Sequence, residues 1–229
     1  MPANAATAHP HLPPVDVLIR SLALHSCSGR EGARLQALCE APAPGDDILT
    51  VHEPDSPTRQ EVERFIAAIY RARFGADVDV FAPLLVSRRG TDGELCAAAG
   101  YRPADAGALF LERYLDAPVE HALGAPRSQI VEVGHLAACR AGEGRRLILQ
   151  LGPWLAGNGF RWAVSTMTEE LRHLFRRLGV AQRALGVADP GRLGDAAKDW
   201  GRYYEHHPTV LASAIGPALQ ARARRERHS

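Results

Sequence analysis

Hydrophobic positions change their period several times along the chain, and each change marks an element. Val62, Phe65, Ile66, Ile69 and Tyr70 recur at the three- and four-residue spacing of one helix face. Ser56 and Pro57 precede them as an N-cap and a first-turn proline, so a helix is predicted over residues 57–74. Upstream, residues 47–52 offer a short strand. Downstream, apolar runs flank "GTDG" and predict a hairpin, one arm ending near Arg88 and the other covering residues 94–101. "LFLERYLDAPVEHALG" has helical spacing interrupted at Pro118.

From residue 129 the pattern becomes a near-continuous apolar run, "QIVEVGHLAA", the mark of a buried strand over residues 129–138. It breaks at "CRAGEGRR" and resumes with helical spacing over residues 144–156. "GFRWAVST" predicts another strand. "TEELRHLFRRLGV" predicts a helix with Leu171, Leu174, Phe175 and Leu178 inward and Gly179 closing it. "WGRYYEHHPTVLASAIGPAL" is aromatic and then loosely helical, while "VDVLIRSLAL" near the start fits either a strand or a short helix. The order is strand, helix, hairpin, strand, helix, strand, helix and extended tail. That order predicts an α/β fold with a mixed antiparallel and parallel sheet flanked by helices.

Composition narrows the classes. With 229 residues, 46% of them hydrophobic, the chain can bury one sizeable core. It divides into a disordered leader over residues 1–14, a single domain over 15–215 and a basic tail over 216–229. A formal net charge of +1 gives no case for nucleic-acid binding. Cys27, Cys39, Cys96 and Cys139 share no CxxC spacing and read as reduced thiols of a cytoplasmic protein. The leader has no basic and apolar regions of a signal peptide, and no apolar run is long enough for integral membrane insertion.

The chemistry concentrates after residue 129. A strand that enters a glycine turn and then a helix is a device for holding anions, because the first helical N–H groups lack internal acceptors. Gly142 and Gly144 supply the turn, and Arg140, Arg145 and Arg146 supply positive charge. Glu143 opposes a phosphate unless it points away. Inside the strand, alternation puts Ile130, Glu132 and Gly134 on one face and Val131, Val133 and His135 on the other. Burial there raises the pKa of Glu132, which suits a general base; an ion pair with an arginine across the sheet also fits. Gly134 in mid-strand marks a bulge or the close approach of a ligand.

A glycine loop after the central strand, preceded by an antiparallel hairpin, is the layout of GNAT-like acyltransferases, whose loop reads Q/R-x-x-G-x-G/A. Gly142 and Gly144 fit; Cys139 stands where the Gln or Arg belongs, with Arg140 one place late. "RFIAAIYRARFGADV", "FAPLLVS", "LFLERYLDAPVEHAL", "IVEVGHLAA", "WAVSTMTEELRHLFRRLG" and "WGRYYEHHPTVLA" resemble, in order, the thermostable hemolysin (delta-VPH) family. The resemblance covers residues 47–212. That family is GNAT-like and looks related to the acyl-homoserine-lactone synthases, whose central strand carries a glutamate that Glu132 matches. An asparagine is expected at His135 and a glutamine at Arg113.

The resemblance implies an N-acyltransferase that moves an acyl group from acyl-CoA or acyl-phosphopantetheine on a carrier protein to a small-molecule amine. The donor is expected along Gly134, Ala137 and Ala138, with its phosphate at Arg140, Gly142, Gly144 and Arg145. Glu132 is the expected base, Glu120 a second carboxylate candidate or a surface residue, and Tyr203 a proton donor. Trp200 and Tyr204 either wall the acyl or acceptor pocket or pack the core. Arg172 and Arg176, with Arg145 and Arg146, either dock an acidic acyl carrier protein or form a solvated face. No prosthetic group is expected, and His206 and His207 lack the companions of a metal site. The alternative is a non-enzymatic membrane-active or binding protein on the same fold. A pore-former needs a spanning helix or spare amphipathic strands, and neither is evident.

Overall fold

The computed structural model describes residues 49–226. The leader, "VDVLIRSLAL", Cys27 and Cys39 lie outside the described residues. Among the described residues, seven strands form one mixed sheet: β1 (Thr50–His52), β2 (Leu84–Arg89), β3 (Leu95–Pro103), β4 (Ile130–Ala138), β5 (Trp162–Met167), β6 (Arg183–Val187) and β7 (Thr209–Ala214). Their spatial order is β1-β2-β3-β4-β5-β7-β6. β4 and β5 pair in parallel; every other neighbouring pair is antiparallel. The helices are α1 (Arg59–Phe74), α2 (Val119–Leu123), α3 (Glu143–Gly157), α4 (Glu169–Arg177) and α5 (Ile215–Glu226).

Each face of the sheet is covered by the element whose periodicity demands it. Val62, Ile66, Tyr70 and Phe74 of α1 pack on Leu85, Ala98 and Ala137. Leu147, Leu151 and Leu155 of α3 pack on Val86, Ala97, Ala99 and Val131 on the opposite face. Ile66 and Leu147 are fully buried, and truncating either to alanine costs about 2–5 kcal/mol. α1 starts two residues later than its proline suggests. Thr58 is the N-cap residue but makes no side-chain cap bond. Its hydroxyl instead meets Nδ1 of the buried His52 at 2.9 Å.

Expectations change in the second half of the chain. β6 and β7 are strands that the sequence pattern does not announce. β7, "TVLASA", is buried on both faces between β5 and β6, so its polar and apolar positions do not alternate. In "WGRYY", Trp200 ends the 3-10 segment Pro190–Trp200 and the two tyrosines begin the 3-10 turn Tyr203–His206. Leu171, Leu174, Phe175 and Leu178 are half-buried rather than core, because α4 has no fully buried residue. α5 runs through most of the stretch expected as a basic tail, where its Arg222 donates to the Leu149 carbonyl of α3 at 2.9 Å.

Candidate active site

β4 and β5 pair only from Ile130↔Trp162 to Glu132↔Val164. Beyond that point β4 continues to Ala138 while β5 continues to Met167 along β7 alone. A gap therefore opens just past Glu132, lined by backbone groups with no strand partner across it. On the other edge of β4, Ala98 faces Ala137 but Gly100 faces Gly134, so β4 carries an extra residue. His135 absorbs this bulge at φ +52.

The bulge reverses the alternation expected for this strand. His135 does not share a face with Val133; its ring lies against Phe81 and Tyr70, at centroid distances of 5.6 and 6.3 Å, on the α1 side with Ala137. Leu136 and Ala138 join Val133 on the α3 side. The imidazole donates to the Val80 carbonyl, and burial pushes its pKa down to about 4. Gly100 lies beneath it: a Cβ there would sit 2.9 Å from Nδ1 and 2.8 Å from the Ala82 methyl. Histidine and asparagine both tolerate positive φ, so His135 holds a backbone conformation that the expected asparagine would also hold.

Glu132 stands at the apex of the gap. Its Oε2 accepts the Phe110 N–H at 2.9 Å and its Oε1 accepts the Leu111 N–H at 2.8 Å. These amides open the 3-10 turn Phe110–Tyr114. Burial raises the pKa of the carboxyl against the pull of the two amides and of Arg102. Arg102 faces Glu132 across the strands, yet its guanidinium donates to the Ala108 carbonyl at 3.2 Å. The carboxylate thus fastens a loop by main-chain bonds, a role that the base and ion-pair readings did not include. Each oxygen keeps a second lone pair.

The fastened loop carries an aromatic wall. Phe110 lies 5.6 Å from Trp200, and Trp200 contacts Tyr203 at 5.3 Å and Tyr70 at 6.3 Å. Arg113 covers the Phe110 ring at 5.5 Å. The Tyr203 hydroxyl donates to the Thr166 carbonyl at 3.1 Å, on the diverging part of β5. Tyr204 and Tyr114 share a 2.7 Å hydroxyl contact. A 3-10 turn points successive side chains about 120° apart, so both adjacent tyrosines reach this region. Burial raises all three phenol pKa values, which keeps them protonated at neutral pH. Tyr114 had no sequence signal; its partner is 90 positions away.

Glu120 is not part of this arrangement. It pairs with Arg127 at 2.6 Å beside Glu112 at 2.7 Å, and Arg127 also donates to the Ala104 and Gly107 carbonyls. A guanidinium with two carboxylates and two carbonyls is a structural knot. Glu112, Glu120 and Arg127 line one surface cleft; Arg172, Arg176 and Gln182 line another. Neither cleft includes Glu132 or the glycine loop. Arg172 is occupied by Thr209 and the His207 carbonyl, and Arg176 by His173. His206 bonds Glu170 at 2.7 Å.

At the far end of the gap, β4 enters the glycine loop. Gly142 caps α3 at φ +88, a left-handed conformation that suits glycine. The Glu143 amide turns back to the Arg140 carbonyl at 3.3 Å, and the Arg146 amide meets the Gly142 carbonyl at 2.9 Å. Helix geometry leaves the amides of Gly144 and Arg145 without acceptors inside the helix. Glu143 points inward, where it pairs with Arg88 of β2 and, at 2.9 Å, with Arg146. Its charge is therefore neutralised instead of opposing an anion at the helix start. A Cβ at Gly134 or Gly142 would meet nothing within 4 Å, so the space beside both is open.

A parallel pair that splays after a strand glutamate, a bulged β4 and a glycine loop opening a helix together make up a GNAT-like fold. The chain belongs to the thermostable hemolysin family, whose profile matches residues 52–219. Among solved structures, the acyl-homoserine-lactone synthase LasI superposes with a TM-score of 0.52 at 14% identity, covering 75% of this chain and 91% of that one. TofI in its apo form gives 0.51 at 20% identity, covering 73% and 91%. FeeM, an N-acyl amino acid synthase from uncultured soil microbes, gives 0.52 at 12% identity, covering 75% and 93%. These likenesses are of fold. No curated protein matches the chain.

Proposed function

We propose that this protein is an N-acyltransferase that moves an acyl group from a thioester, acyl-CoA or acyl-phosphopantetheine on a carrier protein, to a small-molecule amine. The observation that carries this reading is the gap between β4 and β5, with Glu132 at its apex and the glycine loop at its mouth. Pantetheine lies along Gly134, Ala137 and Ala138. Its phosphate sits at the helix start, on the amides of Gly144 and Arg145 with Arg140 and Arg145 alongside. The amine nitrogen attacks the thioester carbonyl, and the N–H groups freed by the bulge hold the oxyanion. Glu132 takes the amine proton through a free lone pair, directly or through a water, while keeping Phe110 and Leu111 in place. The C–S bond breaks and the thiolate recovers a proton, with Tyr203 as the candidate donor. Trp200 and Tyr204 wall the acceptor side.

The donor is drawn from the cytoplasmic pool of acyl thioesters. An acidic carrier protein is served by Arg140, Arg145 and Arg146, which flank the proposed phosphate site at the start of α3. Among the described residues no helix is long and apolar enough to cross a membrane. The test is a thiol-release assay with acyl-CoA thioesters and an amine panel, alongside thermal unfolding with CoA. CoA at about 100 times its dissociation constant stabilises the fold by about 2.7 kcal/mol. No stabilisation and no thiol release, together with lysis of lipid vesicles in the absence of a donor, replaces this reading with a membrane-active one.

A further inference from the structure

Two thiols that the proposed acyl transfer does not use stand at the root of the glycine loop. Cys96 lies in β3, and Cys139 follows the last residue of β4. Ala97 and Ala138 are register partners, and one step further the Cys139 N–H donates to the Cys96 carbonyl at 3.0 Å. Opposed residues joined in this way hold their Cα atoms about 5.5 Å apart, inside the span of roughly 4.4–6.8 Å that a disulfide bridges. Both thiols are free. The guanidinium of Arg140, the first arginine of the loop, bonds Cys139 and sits 3.9 Å from Cys96 Sγ.

The two thiols are unequal. Cys139 is half-buried and so the more open of the two to a small molecule. Cys96 is 2% exposed and burial pushes its pKa up. One is placed to react with a small molecule and the other to resolve the product.

We propose that Cys96 and Cys139 are a redox modification site: a reversible disulfide that unfastens the glycine loop. The Cys139 thiolate attacks one sulfur of a low-molecular-weight disulfide such as oxidised glutathione and expels one thiol. Cys96 then gives its proton to solvent, attacks Cys139 Sγ and expels the second thiol. Two protein thiols are oxidised and the small disulfide is reduced to two thiols. The bridge takes from Arg140 the two sulfurs it rests on and redirects the strand ends that feed Gly142. Formation of the bridge is independent of the acyl-transfer reading; its effect on donor binding rests on that reading.

The experiment incubates the reduced full-length chain in mixtures of oxidised and reduced glutathione, then maps peptides by mass and follows amide hydrogen exchange over residues 140–145. The expected product is a linked pair of peptides containing Cys96 and Cys139, lighter by two hydrogens and restored by dithiothreitol. Cys96→Ser should stop at a glutathione adduct on Cys139. Exchange in the loop should rise on oxidation, and CoA affinity should fall about tenfold, the scale of one lost charge-assisted contact. Absence of the linked peptide, or bridges from Cys139 to Cys27 or Cys39 in its place, overturns the proposal. A bridge that leaves loop exchange unchanged overturns the unfastening. Reduced protein that binds no CoA, with the bridge and the exchange change present, counts against the acyl-donor reading alone.

Discussion

Glu132 accepts the Leu111 amide at 2.8 Å across 21 positions of sequence, and through that bond the central strand holds the loop that carries Phe110 and Tyr114. One carboxylate thereby has two separable duties: anchoring a wall and, in the proposed mechanism, taking a proton. Glu132→Gln keeps one acceptor oxygen and loses the other. The turnover rate should fall by roughly 10²–10⁴ with donor affinity nearly unchanged, and the acid limb of the pH–rate profile should disappear. Full activity in a folded Gln variant would leave Glu132 only its anchoring duty.

Glu120 should behave differently. It shares Arg127 with Glu112 away from the gap. Glu120→Gln should lower stability by about 1 kcal/mol or less, as expected for a partly exposed pair, and leave turnover unchanged. A rate loss without a stability loss, read by calorimetry beside the thiol-release assay, would return Glu120 to the chemistry.

His135 sets an acid limit on stability. Its folded pKa is pushed down to about 4 from an ordinary 6.5, so the unfolded chain binds this proton more tightly. The stability it permits is fully present above pH 6.5 and is lost progressively as pH falls through that value toward 4. His135→Asn tolerates the positive φ and cannot titrate; its melting temperature should fall less than that of the wild type between pH 6.5 and 4. His135→Val should be about 1–2 kcal/mol less stable than His135→Asn at every pH, because a β-branched residue opposes a left-handed backbone. Parallel pH curves for wild type and Asn variant would remove His135 from acid unfolding.

The sequence carried a good part of this architecture, for physical reasons that differ from residue to residue. α1 and α3 each bury one face, so Val62, Ile66 and Tyr70, or Leu147, Leu151 and Leu155, repeat at helical spacing. β4 showed as an apolar run with one charge in it. β7 did not show, because small residues packed on both faces have no period. The reversal at His135 was hidden because alternation assumes an unbroken strand, and Gly134 hinted at a bulge without fixing its direction. The partners of Glu132 were invisible for another reason: backbone amides of Phe110 and Leu111 leave no mark in a side-chain pattern. Glu143 could be named as an opponent of phosphate, but only its burial beside Arg88 shows how the charge is neutralised.

Gly142→Val tests the loop. At φ +88 the substitution carries a backbone cost of about 1–2 kcal/mol and blocks the approach of an anion. CoA binding should weaken more than thermal stability does. Gly144→Val, at an ordinary helical position with the Ala138 methyl 3.5 Å from its Cβ, should weaken CoA binding with a smaller loss of stability. Unchanged CoA binding in both variants, measured by calorimetry, would make the loop a mere connection.

The central claim is that an acyl thioester donor occupies the gap between β4 and β5. Gly134 borders that gap, and a Cβ there would meet no protein atom within 4 Å. Calorimetric titration of CoA into wild type and Gly134→Leu tests the claim most directly. The wild type should bind CoA, and the leucine variant should bind at least about tenfold more weakly, a loss of about 1.4 kcal/mol, with its melting temperature unchanged. Equal affinity in the two proteins, or no CoA binding by the wild type, would contradict it.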